Sequence, residues 1–190
     1  DYLDVIFVGP IHPQKRPLDV IRALTIIKNE NKFQRIKLHL VGEILSWALK
    51  REIEQLGSQF NIEIQFYGYV SNEKLLNLYS MADLAVFVPE MQPWGIFPLE
   101  AILAGIPTII SDQCGIKFIL PDDFPVVRTG NVSQLADKIL EIIDKYEIYK
   151  RLVNKISKDL SENYSWEKYS KRLETIFKAI LDKNDNNIKF

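Results

Sequence analysis

Short apolar runs alternate with segments of helical periodicity along most of the chain. The runs predict buried strands, because branched and aromatic residues gather in stretches that are too short for helices. They lie at residues 4–9, 36–41, 62–67, 84–88, 106–110 and 125–127. Between them, apolar residues recur at three- and four-residue spacing, which predicts helices. Apolar strands separated by helices are typical of a parallel sheet that is covered on both faces.

The predicted helices begin and end at suitable residues. Pro17 opens the first helix, where the missing N–H does no harm, and Gly57 ends the second. A short helix near Pro98 precedes the fifth strand, and helical stretches run from about Val132 onward. A last amphipathic helix is predicted at about 165–182, and we expect the polar tail at 183–190 to fray.

These elements predict an α/β fold with a doubly wound, Rossmann-like parallel sheet in a single domain over residues 1–182. Such sheets bind ligands at the carboxyl ends of the strands, beside helix N-termini. The loops where chemistry is expected are therefore those at residues 9–16, 41–45, 67–71, 89–97 and 111–115.

Composition excludes several classes of function. The 190 residues carry 24 basic and 25 acidic side chains, so no net field exists to hold a nucleic acid. No apolar run approaches the roughly 20 residues of a membrane-spanning helix. The single cysteine, Cys114, excludes a disulfide framework and fits a reducing, cytoplasmic compartment. With two histidines and that one cysteine, we expect no zinc site.

Because the chain opens at Asp1, directly before a strand, we expect it to be part of a longer protein.

The loop at residues 89–97 has the features of an anion site. Pro98 fits the first helical position. The N–H groups of Gly95, Ile96 and Phe97 are then free at the helix entrance, where the helix dipole is positive. Glycine also lets a ligand approach the backbone closely.

Two side chains of this segment have alternative interpretations. Glu100, in the first helical turn, either accepts hydrogen bonds from a sugar diol or only complements the helix dipole. Trp94 either contacts a ligand or only packs. From physical arguments alone the two interpretations are about equally supported.

The first loop places Lys15 and Arg16 just before a helix. Positive charge there opposes the helix dipole and has no local stabilising reason, whereas a bound phosphate would supply one. The alternative is a pair of solvated cations. The loop is neither a GxGxxG fingerprint nor a GxxxxGK[ST] loop, which argues against nicotinamide-cofactor binding and against a P-loop nucleotide site.

The segment from Gln92 to Pro107 resembles the signature of family 4 glycosyltransferases, a run like EPFGLxxLEAxAxGxPV in which seven residues separate two glutamates. These are retaining, metal-independent enzymes of the two-domain GT-B fold that use nucleotide sugars. The first loop and the segment after residue 68 resemble other parts of their donor-binding domain. The resemblance covers almost the whole chain and implies the donor-binding half of such an enzyme, with its acceptor-binding N-terminal domain absent.

The resemblance implies roles for the matching residues. Glu100 would bind the nucleotide ribose, the backbone at 95–97 would cradle the diphosphate and donor sugar, and Lys15 would stabilise the leaving nucleoside diphosphate. The predicted donor-binding residues are Gly9, Arg16, Val70, Trp94, Gly95, Ile96, Phe97 and Glu100. The predicted catalytic residues are Lys15 and Gln92.

Two positions depart from the family pattern. The first glutamate is Gln92, whose amide binds hydroxyls but cannot stabilise positive charge on the sugar carbon. Glu90 would replace it only if the loop were aimed differently. An arginine of the first loop is Pro10 here, so one cation is missing unless Arg16 supplies it.

Three functions remain open. The first is sugar transfer from a nucleoside diphosphate to a glycan or lipid-linked acceptor, with retention, in which this domain alone binds donor but transfers little. Acceptor and membrane contacts would belong to the absent domain, at the inner face of the membrane. The second is a catalytically decayed binding module or partner subunit, suggested by Gln92 and Pro10. The third is another GT-B-like enzyme, an epimerase or a phosphorylase, although no pyridoxal lysine site is evident.

An apolar stripe follows one side of the last predicted helix, at helical spacing. Its members are Trp166, Tyr169, Leu173, Ile176, Phe177 and Ile180. Either the stripe packs on this domain, or, as the resemblance implies, part of it reaches the absent domain and is exposed in this chain.

Overall fold

The computed structural model describes residues 2–30 and 33–185, with side chains described through Leu181. Its strands are β1 (Tyr2–Val8), β2 (Arg35–Val41), β3 (Glu63–Gly68), β4 (Leu84–Phe87), β5 (Thr108–Ser111) and β6 (Val126–Val127). They form one parallel sheet in the order β3-β2-β1-β4-β5-β6. The order reverses between β1 and β4, which is the switch point where doubly wound sheets bind ligands. The predicted fold class is confirmed.

Seven α-helices connect and cover the described strands. They are α1 (Pro17–Asn29), α2 (Trp47–Gln59), α3 (Asn72–Met81), α4 (Ile96–Leu103), α5 (Val132–Asp144), α6 (Tyr146–Asn163) and α7 (Trp166–Asp185). Parallel crossovers are right-handed, and the chain moves in one direction from β1 to β3 and in the other from β4 to β5, so we infer that α1 and α2 cover one face of the sheet and α3 and α4 the other. Helix α1 packs against α2 and α5, and α4 packs against α6.

The sheet is buried on both faces, as the apolar runs predict. Val5, Ile6 and Phe7 are consecutive in β1 and point alternately to opposite faces, yet all three are 0% exposed. Covering both faces leaves the carboxyl edge of the strands as the place where the sheet opens to a ligand.

Helix α2 does not end at Gly57, as predicted, but continues to Gln59. A Cβ on Gly57 would lie 2.5 Å from Cγ1 of Ile64. The glycine therefore lets α2 pack closely on β3 rather than ending the helix.

Helix α7 is longer than predicted and its apolar stripe is exposed. It runs to Asp185, so the first three residues of the tail expected to fray are helical, and residues 186–190 lie outside the described residues. Trp166 is 83% exposed, and Phe177 and Ile180 are more than half exposed. The stripe therefore does not pack on the described part of this domain. None of the helices in the described ranges combines the length and apolar character needed to cross a membrane.

Candidate functional site

Three neighbouring strands end in glycine at the carboxyl edge of the sheet: Gly9 follows β1, Gly42 follows β2, and Gly68 ends β3. The Gly9 N–H donates to the Val41 carbonyl at 2.8 Å, and the Gly42 N–H donates to the Gly68 carbonyl at 2.9 Å. A Cβ on Gly42, whose φ is +138°, would lie 2.3 Å from the Gly9 carbonyl oxygen. Only glycine therefore lets the first two strand-end loops touch.

These strand ends border a hollow of about 210 Å³. Val70 and Leu75 line it, and Tyr69 and Glu43 lie at its edge. The Tyr69 side chain is largely exposed, and its hydroxyl donates to Oε2 of Glu43 at 3.3 Å. Val70 thus lies where the sequence predicts a nucleotide base, and this role stays a prediction.

The two predicted catalytic residues, Lys15 and Gln92, are in direct contact. A short 3-10 helix at Pro13–Lys15 presents Lys15, whose Nζ donates to Oε1 of Gln92 at 2.5 Å. The backbone holds the same two segments together, since the Glu90 N–H donates to the Gln14 carbonyl at 2.9 Å. The fold therefore joins the first loop to the motif loop at the switch point of the sheet.

Arg16 has a local partner that the sequence analysis missed. Its Nε donates to Oδ2 of Asp19 at 2.6 Å, three residues further along in α1. The expectation that the cations before α1 have no local stabilising reason is therefore wrong for Arg16, because a carboxylate of the first helical turn neutralises it. Lys15 remains as the cation that contacts the motif loop.

The motif loop rests on the loop that follows β5. The Gly115 N–H donates to the Gln92 carbonyl at 2.9 Å, and a Cβ on Gly115 would lie 1.8 Å from the Pro93 carbonyl oxygen. Next to it, the fully buried Cys114 donates from Sγ to the Trp94 carbonyl at 3.2 Å. Burial raises the pKa of the Cys114 thiol, which keeps it protonated and unreactive.

Helix α4 begins at Ile96, two residues before the start predicted at Pro98. Gly95 is the N-cap with a φ of +120°, and a Cβ there would lie 2.7 Å from Sγ of Cys114. Pro98 is tolerated as the third helical residue because a backbone N–H at that position would have no partner within the helix. The N–H groups of Gly95, Ile96 and Phe97 also lack acceptors within the helix. The corrected start thus keeps the predicted anion site.

The side chains around this helix start point in different directions. Trp94 is 42% exposed and Ile96 is 66% exposed, whereas Phe97 is 6% exposed and belongs to the core. Only the backbone of Phe97 is therefore available to a ligand, while Trp94 and Ile96 also offer apolar surface.

Glu100 is exposed on α4 and accepts a hydrogen bond from the Tyr79 hydroxyl, 2.8 Å from Oε2. Tyr79, on α3, is 5% exposed. Burial, followed by the bond to Glu100, raises the pKa of the Tyr79 hydroxyl far above its ordinary value. The pair borders an apolar groove of about 470 Å³ between α3 and α4, and Leu75 lines both this groove and the strand-end hollow.

His39 lies within the sheet, outside this site. It is 1% exposed, with Nε2 2.9 Å from Oδ1 of Asp4 and Nδ1 2.8 Å from the Tyr67 hydroxyl. Both ring nitrogens thus have protein partners, as expected for a packed histidine. Within the described ranges, no group of three or more His, Cys, Asp or Glu residues is arranged to hold a metal ion.

Sequence reasoning missed Tyr79 and Asp19, and it did not single out Gly42 and Gly115 within the loops at 41–45 and 111–115 where it expected chemistry. A glycine directly after a predicted strand is a signal that points to Gly42, and the i, i+3 spacing points to the pair of Arg16 and Asp19. Tyr79 gives no such signal, because its contact with Glu100 joins two helices that are separated by a strand.

A scan against protein families matches residues 1–159 to the family described as glycosyl transferases group 1. An uncharacterized glycosyltransferase of Methanocaldococcus jannaschii is 28% identical over 94% of this chain and 45% of its own length. The N-acetyl-alpha-D-glucosaminyl L-malate synthase of Bacillus anthracis is 26% identical over 95% of this chain and 47% of its own length. The chain therefore spans about half the length of these curated relatives.

Solved structures share the fold. HepE of Anabaena, crystallised in complex with UDP and glucose, superposes with a TM-score of 0.78 at 17% identity, over 94% of this chain and 48% of that one.

Proposed function

Since the chain belongs to the glycosyl transferases group 1 family, we propose that it is the donor-binding domain of a retaining, family 4 glycosyltransferase. In the complete enzyme it holds a nucleoside-diphosphate sugar, and the sugar passes to a glycan or lipid-linked acceptor. The acceptor is bound by a part of the protein outside these residues. We place that protein in the cytoplasm, and any membrane contact belongs to the acceptor-binding part.

The contact between Lys15 and Gln92, three residues before the glycine cap of α4, carries this proposal. It puts one cation, one neutral hydrogen-bonding side chain and a set of helix-start amides at the same edge of the sheet. That combination matches a diphosphate joined to a sugar. Lys15 and the backbone N–H groups at the start of α4 face the phosphates, and the side chain of Gln92 faces the sugar hydroxyls.

The chemistry follows from where charge develops. Breaking the glycosidic bond leaves negative charge on the departing diphosphate. A cation and backbone amides that are already in place stabilise that charge without rearrangement, which lowers the barrier. This role needs no metal ion, and we propose that none is used.

The nucleoside would lie next to the phosphates at the same carboxyl edge of the sheet. Its base fits the hollow beside Val70, and its ribose fits near the exposed carboxylate of Glu100. HepE, which shares this fold, was crystallised in complex with UDP and glucose, and this supports a nucleoside diphosphate as the ligand of the present domain.

A second candidate is a binding module without catalysis. It is favoured by Gln92, whose amide cannot stabilise positive charge on the sugar carbon as a carboxylate does. This candidate keeps the donor site and differs only in the rate of transfer.

Calorimetric titration of the chain with UDP, GDP and ADP tests the donor site. We expect selective binding of one of them, weakened by about 1–3 kcal/mol in Glu100→Ala and in Lys15→Ala, as for lost charged hydrogen bonds. Lys158→Ala removes the same charge from an exposed position on α6 and serves as the control. If no nucleotide binds, or if the control weakens binding equally, the proposal fails.

A further inference from the structure

Tyr79 is a buried residue whose side-chain hydroxyl contacts a residue at the surface. Its hydroxyl donates to Oε2 of Glu100 at 2.8 Å, although the ring is 5% exposed and the carboxylate belongs to an exposed residue. A buried tyrosine oxygen needs a partner, but a main-chain carbonyl would serve equally well. Here the partner is the carboxylate that we propose binds the ribose.

The ring is fixed by other aromatic side chains. It stacks on Phe97 with centroids 6.4 Å apart and an interplanar angle of 16°, and Phe97 meets Phe87 of β4 edge to face at 5.5 Å. Phe97 is also the second residue of α4, whose first amides form the proposed phosphate site. One rigid aromatic column therefore holds both the start of α4 and the hydroxyl that contacts Glu100.

The hydroxyl acts on Glu100 as a donor only. Because burial keeps it protonated, it occupies Oε2 and leaves Oε1 free to accept further hydrogen bonds. An exposed glutamate samples several rotamers, and fixing it before a ligand arrives lowers the entropic cost of binding.

We propose that Tyr79 is a positioning residue that orients the Glu100 carboxylate toward the ribose diol of the donor nucleotide. This inference rests on the proposed function and adds to it how the carboxylate that binds the ribose is held in place. Removing the hydroxyl should then weaken recognition of the diol and leave the base and phosphate contacts unchanged.

Tyr79→Phe tests this, because it keeps the stacked ring and removes only the oxygen. Titrations would use the nucleoside diphosphate that binds the wild-type chain and its 2′,3′-dideoxy form, for example UDP and dideoxy-UDP. We expect the variant to bind the ribonucleotide about 3- to 10-fold more weakly, as for the loss of one hydrogen bond. Binding of the dideoxy form should be the same for both chains.

Tyr149→Phe is the matched control. Its hydroxyl also donates to a glutamate, Glu141, at 2.8 Å, but the pair lies at the α5–α6 corner. Its removal should change nucleotide binding by less than the error, while far-UV circular dichroism and urea unfolding report whether either variant is destabilised.

A double-mutant cycle with Glu100→Ala separates positioning from a general structural role. If Tyr79 acts through the carboxylate, Tyr79→Phe has no further effect once Glu100 is alanine. Equal losses for the ribonucleotide and its dideoxy form, or an undiminished loss in the Glu100→Ala background, would overturn the inference while the donor site stands. Absence of binding by the wild-type chain would instead refute the proposed function, and this inference with it.

Discussion

At position 92 the side chain that meets Lys15 is an amide, where the family pattern has a carboxylate. A carboxylate 2.5 Å from the Lys15 ammonium would form an ion pair, whereas the amide only accepts a hydrogen bond. The positive charge of Lys15 is therefore left available for a diphosphate. Since Arg16 is paired with Asp19 and residue 10 is proline, Lys15, which has no ion-pair partner among the described residues, is the cation that the first loop offers.

Gln92→Glu should for this reason weaken binding of the nucleoside diphosphate. A new, partly exposed ion pair is worth up to about 1 kcal/mol, which corresponds to a loss in affinity of up to about 5-fold. Calorimetry at low and moderate salt measures it, and the loss should shrink as salt rises. Gln65→Glu adds the same charge on β3 and should have little effect.

Tighter binding by Gln92→Glu would contradict this account of the charge. A large gain in transfer rate, measured in a longer protein that includes the acceptor-binding part, would favour the catalytically decayed module. A loss in rate would show that the amide is suited to its donor.

Among the elements, the strand-end turns depend on glycine for two different reasons. Gly42 and Gly68 both have positive φ, at +138° and +66°, but a Cβ at Gly68 meets nothing within 4 Å, whereas one at Gly42 meets the Gly9 carbonyl at 2.3 Å. One position is constrained by conformation alone, and the other by conformation and contact together.

Gly42→Ala should accordingly lower the free energy of unfolding by about 2–4 kcal/mol, since backbone strain and overpacking add. Gly68→Ala should lower it by only about 1 kcal/mol. Urea unfolding of the two variants measures the difference. Equal losses would mean that the loops after β1 and β2 separate freely, and that the contact between them does not shape the hollow.

The order of elements could be predicted because apolar runs and helical spacing are local properties. The predicted helix boundaries were wrong where a residue type can occur for more than one structural reason. Pro98 suits any position in the first turn, so it does not fix the start of α4. The sequence predicts Gly57 as a helix end, but this glycine instead allows close packing on Ile64 of β3, which no local pattern reveals.

The site could be predicted only as far as its residues lie in one motif. Gln92, Gly95 and Glu100 share a segment, and a resemblance identifies them together. The partners that orient them, Tyr79 on α3 and Gly115 after β5, come from other parts of the chain. Their roles arise from packing between elements, which a single sequence does not encode as spacing.

At the scale of the whole molecule, one face of the domain has no partner within the described residues. The apolar stripe of α7, with Trp166, Phe177 and Ile180 more than half exposed, is larger than isolated surface residues account for. The two curated relatives described above are about twice as long as this chain. Both observations are what the proposed division into a donor-binding and an acceptor-binding part leads us to expect.

The chain alone should therefore bind a nucleotide without transferring sugar. In the proposed function its groups stabilise the leaving diphosphate while another part of the protein binds the acceptor, and holding two reactants together supplies about 7–11 kcal/mol of a barrier. The measurement is release of nucleoside diphosphate from its nucleotide sugars, with and without sugar acceptors, compared with a longer protein that contains the acceptor-binding part. Sustained transfer by the 190 residues alone would mean that an acceptor site lies within the sheet domain, and the proposed division into donor and acceptor halves would then be wrong.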